Sequence, residues 1–233
     1  MSNNNSAIIQ ALQQKFGSAD WKKWSMHRWA FWDYVRYANA GVSSLSFFAN
    51  GQGSTDPVST LAKTQEQTNI DRSRSFGQVY FMLAQIRTHI HILPKNRQLS
   101  GISDDANVIT TTYTDMMYAM QRLAGQGVLT LDILAKNYVE IEQPFRTCPP
   151  GMGVKIGQHA SSQITEAAWW QQNPDMGNLK NFTPPTIIEP EQTFDCKINF
   201  PNANSPAIPT VSSAAPAVNI GVIFEGYILR PAQ

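Results

Sequence analysis

This chain is poor in charge. Asp, Glu, Lys and Arg make up 15% of its 233 residues, against about a quarter in an ordinary soluble domain. The 18 basic and 17 acidic side chains leave a formal net charge of +1, so no long-range field gathers nucleic acid or an acidic substrate. Asn, Gln, Ser and Thr take up the vacancy. An exterior poor in charge and rich in amides suits a surface that faces other protein, because interface cores are depleted in charge. A neutral secreted protein has the same composition.

Cysteine is scarcer still, at 2 residues. Cys148 precedes Pro149 and Pro150 in a loop, and Cys196 falls on a strand-like run, where a free thiol packs as a small hydrophobe. Two cysteines are no disulfide framework, and whether they are bridged stays open at this level. Long apolar runs are absent too: none approaches the roughly 20 residues of a bilayer span. The N-terminus has no basic start followed by an apolar stretch. The expectation is a soluble chain made without a cleaved signal.

Catalytic signatures are missing as well. There is no Gly-x-Ser-x-Gly elbow, phosphate-cradling glycine loop, His-Glu-x-x-His helix or Cys-x-x-Cys pair. Carboxylates are scattered: Asp104 and Asp105 in a loop, Glu140 and Glu142 on a candidate strand, Glu189 and Glu191 around Pro190. Paired acids are the raw material of glycoside hydrolysis, but these sit where a solvated strand face and an ordinary turn explain them. His89 and His91 are two apart on a strand, so both project from one face, the opening of a cupin-like metal site. The continuation Ile92-Leu93-Pro94-Lys95-Asn96 lacks the carboxylate such a motif needs, and His159 is the sole candidate for its second half. The pair reads as histidines on an outer strand face, so the chain is expected to be no enzyme, with no cofactor, no metal and no small-molecule substrate.

What the chain does have is alternation. Between Thr193 and Phe200, Phe194, Cys196, Ile198 and Phe200 point one way and Asp195, Lys197 and Asn199 the other, the period of a sheet with one wet face. Between Val218 and Arg230, Val218, Ile220, Val222, Phe224 and Ile228 share a face opposite Asn219, Glu225 and Tyr227. The Pro-, Ser- and Ala-rich stretch 201–217 joins them as a surface connection. A long strand runs from Tyr80 to Pro94, with Tyr80, Met82, Ala84, Ile86, Thr88, Ile90 and Ile92 in one phase and Arg87, His89 and His91 in the other. Leu129, Leu131 and Ile133 alternate, and Val139 to Phe145 is a weaker strand candidate. One or two strands lie between Tyr34 and Phe48. A polar excursion from Asp56 to Ser75 holds at most a helical turn near Leu61 to Gln67. Asp115 to Ala124 reads as a helix ending at Gly125, while 148–157 and 163–185 read as irregular.

The N-terminal part differs. Ser6 caps a short amphipathic helix carrying Ile8, Ile9, Leu12 and Phe16 and ending at Gly17. Trp21, Trp24, Trp29 and Trp32 follow, interleaved with Lys22, Lys23, His27 and Arg28. Aromatic rings among cations suit single-stranded nucleic acid, a membrane surface, or packing beneath a neighbouring subunit; packing against the chain's own sandwich is the plainer alternative. The cations are few for a nucleic-acid channel, which favours subunit packing. The division expected is an N-terminal arm, 1–33, and a sandwich, 34–233. The fold class is all-β with short helices: a single antiparallel β-sandwich of jelly-roll type with an N-terminal helical arm.

The order of elements carries a resemblance. Ala40-Gly41 leads to Phe47-Phe48 and a Gly-rich loop. Thr68-Asn69-Ile70 stands before a long strand led by Phe76. The chain closes through Ile188-Glu189-Pro190-Glu191-Gln192-Thr193-Phe194 and Phe224-Glu225-Gly226-Tyr227-Ile228-Leu229-Arg230-Pro231. Over residues 34 to 231 this pattern resembles the jelly-roll capsid proteins of tailless icosahedral bacterial viruses, including those with an internal membrane. Many of those carry two jelly rolls, whereas this length leaves room for one. The resemblance implies a virion protein, made in the host cytoplasm, that self-assembles into an icosahedral shell. Its partners would be copies of itself, other virion proteins and, through the arm, an internal membrane or packaged genome. The subunit contacts would fall to Ile8, Ile9, Leu12, Phe16, Trp21, Trp24, Trp29 and Trp32. A carbohydrate-binding sandwich stacking sugars on Trp169 and Trp170, or on the Trp21 to Trp32 cluster, is the alternative.

Overall fold

The computed structural model describes residues 2–17, 21–38, 40–93, 122–123, 125–133, 139–144, 154–161, 164–172, 181–200, 207 and 217–231. A helix, α1 (Ser2–Phe16), and a single 3-10 turn (Trp21–Lys23) lead into ten strands: β1 (Trp24–Arg36), β2 (Ser44–Phe47), β3 (Tyr80–Leu93), β4 (Val128–Ile133), β5 (Val139–Pro144), β6 (Val154–Ser161), β7 (Ile164–Gln172), β8 (Asn181–Ile188), β9 (Phe194–Asn199) and β10 (Ala217–Pro231).

Two four-stranded antiparallel sheets result, ordered β1-β10-β3-β8 and β2-β9-β4-β5, with β6 and β7 as a separate hairpin. With the hairpin set aside, the pairs are nested: β4 with β5, β3 with β8, β2 with β9 and β1 with β10. Two further ladders, β10 with β3 and β9 with β4, join neighbouring pairs.

The core lies between the sheets, and the expected alternation builds it. β9 contributes Phe194, Cys196 and Ile198, β4 contributes Leu129, Leu131 and Ile133, and β10 contributes Val218, Ile220, Val222 and Phe224, all buried. Phenylalanines from both sheets and the intervening loop meet at its centre: Phe31 stacks on Phe76 with centroids 4.1 Å apart, and Phe76 lies 4.7 Å from Phe194. Cys196 is buried in this core, and Cys148 lies outside the described residues.

Several expectations need correction. β3 does not keep one phase: its register against β10 slips between Glu225 and Gly226, leaving Ala84 as an extra residue. Phe81 and Leu83 therefore join Ile86 and Ile90 in the main core, while Met82 and Tyr80 turn to the outer face. A bulge inverts the side-chain phase of everything before it. The passage 163–185, read as irregular, contains β7 and most of β8. Pro184 and Pro185 are tolerated there because β8 is an edge strand whose register against β3 is itself broken. The helical turn expected near Leu61 to Gln67 is a single turn in which the Gln67 and Thr68 N–H groups both donate to the Thr64 carbonyl at 3.0 Å. The helix expected over 115–124 lies mostly outside the described residues, and residues 125 and 126 are still helical.

The N-terminal expectations also shift. α1 starts at Ser2, four residues ahead of the expected cap at Ser6, and ends at Gly17, whose φ of 86° is the left-handed geometry of a helix stop. The tryptophan segment is a strand: β1 runs through the arm boundary drawn at residue 33 and pairs with β10 along its whole length.

Candidate functional site

β1, the tryptophan-bearing edge strand of the first sheet, has two halves. From Ala30 onward its outer edge is occupied by the chain itself. Asn69 Nδ2 donates to the Ala30 carbonyl (2.9 Å), Asn69 Oδ1 accepts from the Trp32 N–H (2.8 Å), and the Tyr34 N–H donates to the Gln67 carbonyl (2.7 Å). Alternate residues of an antiparallel strand address opposite neighbours, so Met26 and Arg28, in phase with Ala30 and Trp32, turn their backbone groups away from β10. Among the described residues no strand lies beside them. Two large apolar side chains flank this open half, Met26 at 39% and Trp29 at 48% exposure. The Arg28 side chain is 80% exposed and lies 3.8 Å from Glu225, a carboxylate that also pairs with Arg87.

The eight residues expected to contact other subunits do not act as one group. Ile8, Leu12, Phe16 and Trp24 belong to a second core beneath α1, with Ala11, Met82, Tyr80, Ile187, Tyr227 and Leu229. Phe16 stacks on Trp24 at 4.4 Å, and both meet the Tyr80 ring edge-on. Lys15 pairs with Glu189. Ile9 is half-buried, and the outward face of the helix carries Gln10, Gln13 and Gln14. The Trp21 side chain lies outside the described residues. Trp32 is half-buried and donates its indole N–H to the Gln65 carbonyl at 3.2 Å. Among the described members of the group, only Trp29 is an exposed ring. The helical spacing of Ile8, Leu12 and Phe16 is legible in the sequence; that their partner is the chain's own outer sheet face follows from the β3 bulge, which no local pattern announces.

A buried ion pair anchors the same strand, and no sequence motif points to it. Lys63 Nζ donates to Asp33 Oδ1 at 2.6 Å, and the Phe48 N–H donates to Asp33 Oδ2 at 2.7 Å. Phe48 holds a left-handed φ of 59°, where a bulky residue is uncommon. Burial pushes the Asp33 carboxyl above its usual range, and this outweighs the pull of Lys63 and the hydrogen bonds that lower it. A lysine inside a polar excursion and an aspartate between Trp32 and Tyr34 carry no local signal of meeting 30 positions apart.

The remaining candidates are dispersed. His89 stands on the outer face, with its Nδ1 3.1 Å from the Tyr34 hydroxyl, whose pKa burial raises. His91 also lies in β3, with its side chain outside the described residues. No group of three or more potential metal ligands occurs among the described residues. The Tyr34 and His89 pair forms part of a half-open groove of about 560 Å³ that also involves Arg36, Leu61, Gln67 and Asn219. Glu191 pairs with Arg72 at 2.8 Å, and Glu189 and Glu191 sit in a turn, as expected. Glu140 and Glu142 lie in β5, and Asp104 and Asp105 are outside the described residues. Trp169 and Trp170 fall in β7, with their side chains outside the described residues. Among the described residues no helix is long and apolar enough to cross a membrane.

No family model, no curated protein and no solved structure matches this chain.

Proposed function

We propose that this chain is a structural subunit that assembles with copies of itself into an icosahedral virion shell, built on a single jelly roll. The nested strand pairs support the jelly-roll assignment. With the β6 and β7 hairpin set aside and the other eight strands renumbered in chain order, the sheets read 1-8-3-6 and 2-7-4-5, which is a long antiparallel ribbon curled into two layers. That fold serves shells, lectins and metal-binding cupins alike, so the function must rest on the surface.

The observation that carries the shell reading is the open half of β1, which presents Trp29 and Met26 beside backbone that no strand among the described residues pairs, on a protein poor in charge. Natural sandwiches cover or blunt such an edge unless it pairs. Many equivalent contacts of modest area around symmetry axes stabilise a closed shell collectively. The carbohydrate alternative draws less support from the tryptophan cluster, since Trp24 is stacked under α1 and Trp32 is tied to Gln65. α1 presents glutamines outward, so its contacts with other virion proteins, a membrane or a genome would be polar.

Negative-stain microscopy and light scattering on the purified full-length protein test this. Closed symmetric particles that form above a threshold concentration are expected. A monomer at every concentration that binds a glycan array would replace the shell with the lectin. A truncation at residue 33 is unsuitable, because it removes ten residues of β1 and the buried Asp33.

A further inference from the structure

Among the described residues the two sheets end in four edge strands: β1, β8, β2 and β5. They are not equally free to pair. β8 carries Pro184 and Pro185 and packs against α1, and β2 is 4 residues long. The other two are of opposite sign. The open half of β1, Trp24-Ser25-Met26-His27-Arg28-Trp29, has no acid and follows Lys22 and Lys23. β5, Val139-Glu140-Ile141-Glu142-Gln143-Pro144, has two acids and no base over a similar length. Glu142 is exposed and makes no ion pair among the described residues.

We infer that the shell contact is made by strand addition between copies, the open half of β1 in one subunit pairing with the edge of β5 in the next. This rests on the assembly reading above and names the surfaces that carry it. Self-pairing of either edge across a two-fold axis would set cation against cation or acid against acid, which costs stability when the charges face each other directly. Only the crossed arrangement is complementary. It is heterologous, so it propagates around a ring, as the vertices of a shell require. Charges alone could blunt an edge against aggregation, but a blunted edge does not also display Trp29 and Met26.

The test uses the full-length chain and two exposed positions, Arg28→Glu and Glu142→Arg. Glu142→Arg is expected to keep the wild-type melting temperature and Arg28→Glu to stay folded with a slightly lower one, since it loses its contact with Glu225, and each is expected to raise the concentration needed for assembly on the order of tenfold. The double variant, with the charges exchanged, is expected to assemble within about threefold of wild type. In a Cys148→Ser background, Arg28→Cys chains mixed with Glu142→Cys chains are expected to form a disulfide dimer that neither forms alone. Wild-type particles that tolerate both single variants, or a double variant no better than the worse single one, overturn the strand pairing and leave the shell standing. A wild-type protein that never assembles overturns both.

Discussion

Lys63 and Asp33 hold each other at 2.6 Å inside the protein, their side chains 1% and 0% exposed. The pair ties the excursion between β2 and β3 to the middle of β1, and the Phe48 N–H on the second carboxylate oxygen completes the arrangement. Removing one partner leaves a buried charge uncompensated. Lys63→Met is expected to lower the unfolding free energy by about 3–5 kcal/mol, and adding Asp33→Asn is expected to recover most of that loss. Urea denaturation of the two variants measures both; equal loss in single and double variants would refute the coupling.

The same carboxyl gives the protein a pH signature. Its folded pKa lies above the ordinary 3.8, so the folded state holds this proton more tightly than the unfolded chain does. Stability contributed by Asp33 is therefore fully present below the unfolded value, declines as pH rises through the raised folded value, and is constant above it. The difference in unfolding free energy between wild type and Asp33→Asn is expected to shrink across that interval as pH rises. A pH-independent difference would contradict the raised pKa.

Gly226 faces the bulge that splits β3. A Cβ there would stand 1.9 Å from the Met82 carbonyl oxygen, a backbone atom, so Gly226→Ala must break the ladder or move the strand. Its cost is expected at the top of the roughly 1–3 kcal/mol typical of overpacking, or beyond it. Gly221→Ala would meet the Tyr34 ring at 2.3 Å, but a ring can rotate away at the cost of its contact with His89. Thermal melts are expected to rank Gly226→Ala as the more damaging.

Leu12 is fully buried between α1 and the outer sheet face. Leu12→Ala is expected to cost about 2–5 kcal/mol and to increase binding of an apolar dye, as Met82 and Leu229 lose their cover. An N-terminal helix that served only to reach a neighbour would leave the stability of the isolated subunit unchanged.

Trp29 makes the opposite case. Its ring is 48% exposed and lies edge-on to Phe31 at 6.5 Å, so Trp29→Ser is expected to change subunit stability by only about 0.5 kcal/mol while weakening assembly on the order of tenfold. Melting temperature and particle yield, measured on one preparation, separate the two effects.

Much of the sandwich is written in local order. Alternation in β4, β9 and β10 is enough by itself to assign Leu129, Phe194, Cys196, Val222 and Phe224 to the core, because a strand with one wet face must alternate. The site is less legible. Four of the eight residues expected at subunit contacts lie beneath α1, since an apolar stripe on a helix reports that it will be covered and not by what.

The chain's own pattern thus determined β4, β9 and β10 with their buried faces and the helix stop at Gly17, all of which depend on neighbours a few positions away. Tertiary structure alone decided that β1 would join β10, that the β3 bulge would turn Met82 toward α1, that Lys63 would find Asp33, and that Asn69 would close half of the β1 edge and leave the other half open. Each of these is a pairing across many residues, where several partners are chemically acceptable and the geometry of the whole sandwich selects one.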